Sequence, residues 1–580
     1  MSKFISLCFR NHNEQLFSGL LQSIENELVL SHSTATPPRL ISSTGLTTIL
    51  INPSEMCEVK DKSICVGIMT QKPETWHLPG GDIPDGNFAL IRADQHTLEL
   101  VTDATSSRII WYYQNEDFLI ASTSQRAIIM LLGTFEPNDK TYSWFLTSGY
   151  HGPDMGWDKR LKYVHSNQSR LILNRETWEL TEETPSFTFE YIQKPVSEHY
   201  DFYKKSISQA FSNLTLNPDQ WAIPLSGGYD SRTILLLLPE RKKFKTITWG
   251  QKNSREIPLS DAFIAQKLAK KLNQPHKFYP LDPAELPFSE LLDRFLIAGE
   301  GRMDKIGGYL DGFEVWDQIQ KENIQGIMRG ALPMSISSVP QNMEEVFSHL
   351  ETPEFKQIFP EEPDFIHDFS PKVFPDYLLK KPGESLAEYR DRLFILYWNP
   401  GRISAFNDVK LNHTETLLPF CLKEVIDIYR QLPDQSRSEK KLQKRLVQSL
   451  TPNVDFANID SNINLRAYLK SLDVRNEMLD LLSDPTSKNI LPANFLNYLI
   501  QNLSTNGLEY QDRRYSKKIV LKKKIKSFLP EHFYNWRKSP RPNTDYTKIA
   551  LRACIILRMN QVLVNDTAFL TKIQLPERIS

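Results

Sequence analysis

Residues 226–231 read Ser-Gly-Gly-Tyr-Asp-Ser, with an apolar run before them (221–225) and Ile-Leu-Leu-Leu-Leu shortly after. This is the pattern of a buried strand that breaks into a tight loop and starts a helix. Gly227 and Gly228 let the backbone turn and leave no side chain between an anion and the amide N–H groups. Ser226 and Ser231 add hydroxyl donors, and the new helix points its positive end at the same spot. The chemistry these residues suit is phosphate binding. Asp230 repels phosphate unless a cation lies between them, so Mg²⁺ is expected there, held by one carboxylate and by substrate phosphates. No Gly-Lys-Ser/Thr follows the glycines, which excludes a Walker A loop.

The elements that must position this loop follow it. Residues 245–250 are β-branched and aromatic and end in Gly, as a second strand would. Residues 259–273 carry a helical apolar stripe, and 274–281 are extended around Pro275. Alternating strands and helices predict a doubly wound parallel sheet that binds nucleotide at the carboxyl ends of its strands. The Ser-Gly-Gly-Tyr-Asp-Ser string resembles the pyrophosphate loop of the N-type ATP pyrophosphatases, which cleave ATP between the α- and β-phosphates and adenylate a substrate. That resemblance implies ATP and Mg²⁺, with Ser226, Gly227, Gly228 and Ser231 around the pyrophosphate, Asp230 on the metal, and adenine near Leu225, Trp249 and Gly250.

The chain of 580 residues is too long for one core, and its net charge of −1 argues against a dedicated nucleic-acid binder. No run of about 18 apolar residues predicts a membrane span. The N-terminus lacks the apolar core of a signal peptide, and five scattered cysteines form no metal or disulfide pattern, so a cytoplasmic location is expected.

Residues 1–180 read as β-rich, with short strands at 85–94, 97–102, 109–113 and 118–122. The Gly-x-Phe-Ala-Leu of 86–90, the Asp-x-x-x-x-Arg of 103–108 and the Leu-Ile-Ala-Ser of 119–122 resemble the class II glutamine amidotransferase domain of asparagine synthetases. The implied architecture is an Ntn-hydrolase-like domain (1–185), an ATP pyrophosphatase domain (186–470) and a helical, partly basic extension (471–580). In that family the glutaminase nucleophile is a Cys next to the initiator Met. Here the position is Ser2, and the family's glutamine-gripping stretches are not visible between 40 and 80. A thiol supplies thiolate near neutral pH and a serine does not, so the glutaminase is expected to be inactive. An intact pyrophosphate loop behind an inactive glutaminase is similar to β-lactam synthetases and lasso-peptide macrolactam synthetases. These implied relatives join an adenylated carboxylate to an amine already in the substrate.

Residues 414–420 (Thr-Glu-Thr-Leu-Leu-Pro-Phe) resemble the family's Glu-x-Arg-x-Pro-Phe segment, with Glu415 on the Glu position and Leu417 replacing the Arg. Glu415 is then a candidate general base, with a satisfied structural carboxylate as the equal alternative. The family's acidic loop after an apolar strand is missing, because 326–334 read Gly-Ile-Met-Arg-Gly-Ala-Leu-Pro-Met. Arg329 is a candidate phosphate ligand there, and Glu300 or Asp304 would have to complete the metal site. The family's catalytic Lys has no counterpart in 454–465, and Lys440, Lys441 and Lys444 read as the solvated face of a helix over 438–450. The basic stretch 510–548 fits a solvated face, with a partner protein, acidic peptide or anionic lipid as alternatives. The expected function is an AMP-forming ligase acting on a small molecule or peptide that carries a carboxylate and an amine. An ammonia-dependent asparagine synthetase-like enzyme and a non-catalytic nucleotide-binding scaffold are the alternatives.

Overall fold

The computed structural model describes residues 2–11, 18–29, 36–331, 334, 337–451, 453–505 and 545–572. Most of the basic stretch 510–548 lies outside them.

Twelve strands form the first half. They are β1 (Lys3–Phe9), β2 (Arg39–Ser43), β3 (Leu46–Ile51), β4 (Glu58–Lys60), β5 (Ser63–Gln71) and β6 (Asp85–Ala93). Then come β7 (Thr97–Thr102), β8 (Trp111–Gln114), β9 (Phe118–Ser122), β10 (Lys162–Tyr163), β11 (Arg170–Asn174) and β12 (Leu180–Glu183). They make two antiparallel six-stranded sheets, ordered β10-β8-β9-β1-β3-β2 and β12-β11-β7-β6-β5-β4. Period-two alternation in β1 explains the layering. Phe4 and Cys8 face the second sheet, where they meet Ile64, Val66 and Ile91. Ile5 and Leu7 face the other way, into a cluster with Ile128 and Ile129 of helix Gln125–Leu132.

The second half contains a parallel sheet of β13 (Trp221–Pro224), β14 (Lys245–Gly250), β15 (His276–Pro280), β16 (Gly326–Met328) and β17 (Glu415–Leu417), ordered β15-β14-β13-β16-β17. Ile223 and Met328 pack on one face with Ile234 and Leu268, from helices Tyr229–Leu237 and Asp261–Leu272. Ala222 and Ile327 pack on the other with Phe295 and Trp316, from helices Phe288–Gly299 and Glu314–Lys321. Helices on both faces are what a parallel sheet requires. The chain leaves β13 for β14 on one side and returns later to β16 on the other, so the carboxyl end of β13 is the topological switch point.

One apolar cluster runs through all three segments, from Ile5 and Trp157 through Phe295 to Ile555 of helix Tyr546–Thr567. The fork of Arg126 on Asp566 (2.8 Å for both bonds) keys that C-terminal helix to helix Gln125–Leu132. Among the described residues no helix is long and apolar enough to cross a membrane.

Candidate functional site

The loop between β13 and helix Tyr229–Leu237 stands at the switch point. Its amides are engaged from within. Ser226 N–H donates to Ser231 Oγ (3.1 Å), Gly228 N–H to Ser226 Oγ (3.2 Å) and Gly227 N–H to Asp261 Oδ1 (3.3 Å). The two serine hydroxyls lie 3.0 Å apart. An oxyanion would replace these contacts, and the Asp261 carboxylate already occupies such an oxyanion's place on Gly227. Burial, with Asp460 adding repulsion, pushes the Asp261 carboxyl up to about 6.

Asp230 is not free to take a metal as it stands. Lys440 Nζ donates to both of its oxygens at 2.7 Å, and Gln443 Nε2 donates to one at 3.1 Å. Among the described residues no three His, Cys, Asp or Glu side chains gather as a metal site. The donor set therefore does not fit Mg²⁺ at Asp230, because an ammonium fills the place of the divalent cation. The alternative ligands are engaged as well. Glu300 accepts from Lys3 Nζ (2.5 Å), Ser124 and the Gln125 amide, and Asp304 accepts from Arg552 Nε (2.7 Å).

This corrects the reading of Lys440 as part of a solvated helix face. Helix Lys441–Leu450 starts one residue later, and left-handed backbone at Glu439 and Lys440 turns the Lys440 side chain back to the loop. Lys441 does stay on the surface, beside Glu439, while Lys444 lies 5.8 Å over the Tyr229 ring.

Residues 454–461 lie against the loop. Ala457 N–H donates to Gly227 O (3.1 Å), and a Cβ on Gly227 would sit 2.2 Å from Ala457 Cβ. Glycine is needed there because another stretch of backbone approaches so closely. Phe456 stacks on Tyr229 at 4.1 Å, and the Arg232 guanidinium lies 3.9 Å over Phe456. Arg232 also donates to the carbonyls of Gly227, Val454 and Asp455, and burial pushes it down to about 10. No motif marks Arg232 in the sequence.

The expected adenine contacts stand beside this stretch. Leu225 is buried, with its N–H on Ile247 O (2.7 Å) and its carbonyl accepting from Thr248 Oγ1. Trp249 lies 5.2 Å from Trp316, and Gly250 packs on Ser461.

Arg329 follows β16 and adjoins the loop, since a Cβ on Gly330 would fall 2.5 Å from Asp230 Cβ. Glu415 does not. It begins β17 in register with Gly326, which pairs with Trp221 at the start of β13. The loop lies beyond Pro224, so the two are separated by ~10 Å along the strands. Glu415 is buried on the first half of the chain, where it accepts from Arg108, Ser54 Oγ (2.8 Å) and Ser2 Oγ (3.2 Å). Ser2 is itself buried and accepts from the Ser54 amide at 2.8 Å. The cavity beside it, lined by Lys3, Arg108, Thr123, Asp408 and Leu411, has room for little more than a water.

Loop, switch point and a neighbouring arginine thus come together, whereas Glu415 belongs to the contact between the two halves. No protein-family model matches the chain, and no curated protein matches it significantly.

Proposed function

We propose that the chain is an ATP-dependent, AMP-forming ligase of the asparagine synthetase type that joins a carboxylate to an amine other than glutamine-borne ammonia. In the first step a substrate carboxylate oxygen attacks the α-phosphorus and pyrophosphate leaves. In the second the amine nitrogen attacks the acyl carbon, AMP leaves and the amine gives up a proton. The observation that carries this reading is the position of Ser-Gly-Gly-Tyr-Asp-Ser at the carboxyl end of the central strand, where doubly wound sheets bind nucleotides. Lys440 would bring positive charge to the phosphates beside Asp230. A carboxylate bonded to a loop amide at 3.3 Å supports an oxyanion at this place, and pyrophosphate would displace it. Glu415 is not given the base's role, because it stands at the other end of the sheet. The first half would be an Ntn-hydrolase-like domain without glutaminase activity, its Ser2 hydroxyl spent on internal hydrogen bonds. Within this class an intramolecular lactam-forming or other natural-product ligase is preferred over an ammonia-dependent asparagine synthetase-like enzyme.

A scaffold that binds no nucleotide is the second reading. It is favoured by the internal bonding of the loop and the close cover by residues 454–461. Calorimetric titration of Mg-ATP into the wild type and Lys440→Met separates the two. Binding that the substitution weakens at least tenfold supports the ligase. The absence of binding at millimolar Mg-ATP supports the scaffold.

A further inference from the structure

Two basic side chains without a counter-ion among the described residues meet on one aromatic ring. Helix Ser404–Leu411 carries Phe406 and Lys410 one turn apart. The Lys410 ammonium lies 3.6 Å from the centroid of the Phe406 ring, and the Arg329 guanidinium lies 3.9 Å from the same centroid. The two charges are therefore no farther apart than those distances laid end to end. Lys410 is 1% exposed, and its hydrogen bond goes to the carbonyl of Phe406 on its own helix. Arg329 reaches Asn407 Oδ1 at 3.4 Å. Neither forms an ion pair among the described residues. Asp408, the carboxylate whose field acts on Lys410, is bonded to Arg302, and nearby Arg402 is paired with Glu351 at 2.8 Å.

Two further donors stand near this pair among the described residues. The Tyr309 hydroxyl and the Trp316 indole N–H are buried and have no partner among the described residues. The Trp316 ring stands 5.9 Å from Lys410 Nζ and 6.0 Å from the Tyr309 ring. An uncompensated buried charge is costly, and two that repel each other are more so. Burial accordingly pushes Arg329 down to about 10 and Lys410 well below its ordinary value, and the Arg329 charge lowers Lys410 further. Ionisable groups perturbed in this way cluster at functional sites.

We infer that Arg329 and Lys410, with the Tyr309 hydroxyl, form a binding site for a substrate oxyanion, a carboxylate or a phosphate. Gly330, the residue after Arg329, packs on Asp230 at the start of the helix that follows the Ser-Gly-Gly loop. The site itself stands on the placement of the two basic side chains; that its anion belongs to the molecule being activated rests on the proposed function.

Thermal unfolding tests this with the full chain in sodium succinate, inorganic phosphate or sodium chloride at matched ionic strength. Wild type, Lys410→Met and Arg329→Gln are compared. The wild-type Tm is expected to rise by several degrees in one of the two anions relative to chloride, and both variants lose that rise. In chloride, Lys410→Met is expected to melt above wild type, because an apolar chain of similar length replaces a lone buried charge. A rise with succinate assigns a carboxylate; a rise with phosphate alone assigns a phosphate. No rise in either anion overturns the site, and so does a rise that both variants retain. If Lys410→Met does not fold, Arg329→Gln carries the same readout. Mg-ATP binding is a separate titration, so the nucleotide reading can fail while the anion-dependent Tm shift survives, and the reverse.

Discussion

Lys440 holds both carboxylate oxygens of Asp230 at 2.7 Å, and a break in the backbone makes this reach available. Glu439 (φ 58°) and Lys440 (φ 54°) are both left-handed, a conformation that costs a non-glycine residue about 1–2 kcal/mol. Two such residues persist in sequence because the ion pair and helix Lys441–Leu450 hold them. Lys440→Met is expected to lower stability by leaving Asp230 with Gln443 alone. The double variant with Asp230→Asn should lose less than the two single variants together, by about 1 kcal/mol. A denaturant-based double-mutant cycle measures this, and a coupling of zero would mean that the pair contributes nothing to stability.

Asp261 makes the loop's stability depend on pH. Its carboxyl stands at about 6 in the folded chain, raised by burial and then by Asp460, against about 3.9 in an unfolded one. Between these values the folded state binds more protons than the unfolded state, so stability falls as pH rises from about 4 to about 6 and stays lowered above. Asp261→Asn keeps an oxygen for the Gly227 amide and removes the charge. It should raise the Tm at neutral pH and leave it nearly unchanged near pH 4. Equal Tm differences at both pH values would show that Asp261 is not the titrating group.

The sequence made the strand–loop–helix legible because its signals are local. Residues 245–250 are β14 as expected, and the helix expected over 259–273 is Asp261–Leu272. Two first-half strands agree at both edges, with 97–102 and 118–122 forming β7 and β9, while 85–94 is one residue shorter as β6 and 109–113 is displaced to Trp111–Gln114 as β8. Contacts set by distant backbone were not legible. Lys440 belongs to a basic run that looks solvated in sequence, and only its left-handed φ turns it to a carboxylate 210 positions earlier. Glu415 lies on a motif-like segment, yet the register of β16 with β17 puts it at the amino end of the sheet. Lys410 looks like an ordinary charge on an amphipathic helix, and nothing in its neighbours announces burial at 1% exposure.

Glu415 is expected to matter for stability. Arg108, Ser2 and Ser54 all turn toward it, and both members of the Arg108–Glu415 pair are at most 5% exposed. Breaking a buried pair from one side strands the other charge, at a cost of about 3–5 kcal/mol. Glu415→Gln should therefore lower unfolding free energy by about that amount, and Arg108→Met with Glu415→Leu together should restore part of it. A Glu415→Gln protein that is fully stable but cannot complete amide formation would return the residue to the role of base.

The Ser2 hydroxyl is turned inward, away from any glutamine. It is buried, donates toward Glu415 and accepts from the Ser54 amide. Glutamate release from glutamine should be at background for wild type, and Ser2→Cys should not raise it, because the neighbouring cavity cannot hold a glutamine side chain. Glutamate release above background in wild type would identify a working N-terminal hydrolase.

His165 ties three parts of the chain through charge. It lies 3.1 Å from Asp154 and 3.1 Å from Glu182 of β12, and its ring packs 4.6 Å from Tyr377, whose hydroxyl also donates to Asp154 at 2.8 Å. Burial works against its charge, yet hydrogen bonds to the two carboxylates win and push it up to about 10. An unfolded histidine titrates near 6.5, so the stabilisation is fully present below about pH 6.5 and is lost as pH rises toward about 10. His165→Gln keeps a donor without the charge and should flatten the decline of unfolding free energy across that window. Glu182→Gln, which leaves Asp154 in place, should reduce the decline without abolishing it. Urea unfolding of the three proteins across that window decides the matter: a wild-type slope that His165→Gln leaves intact must come from other groups, and the histidine would then be neutral in the folded chain.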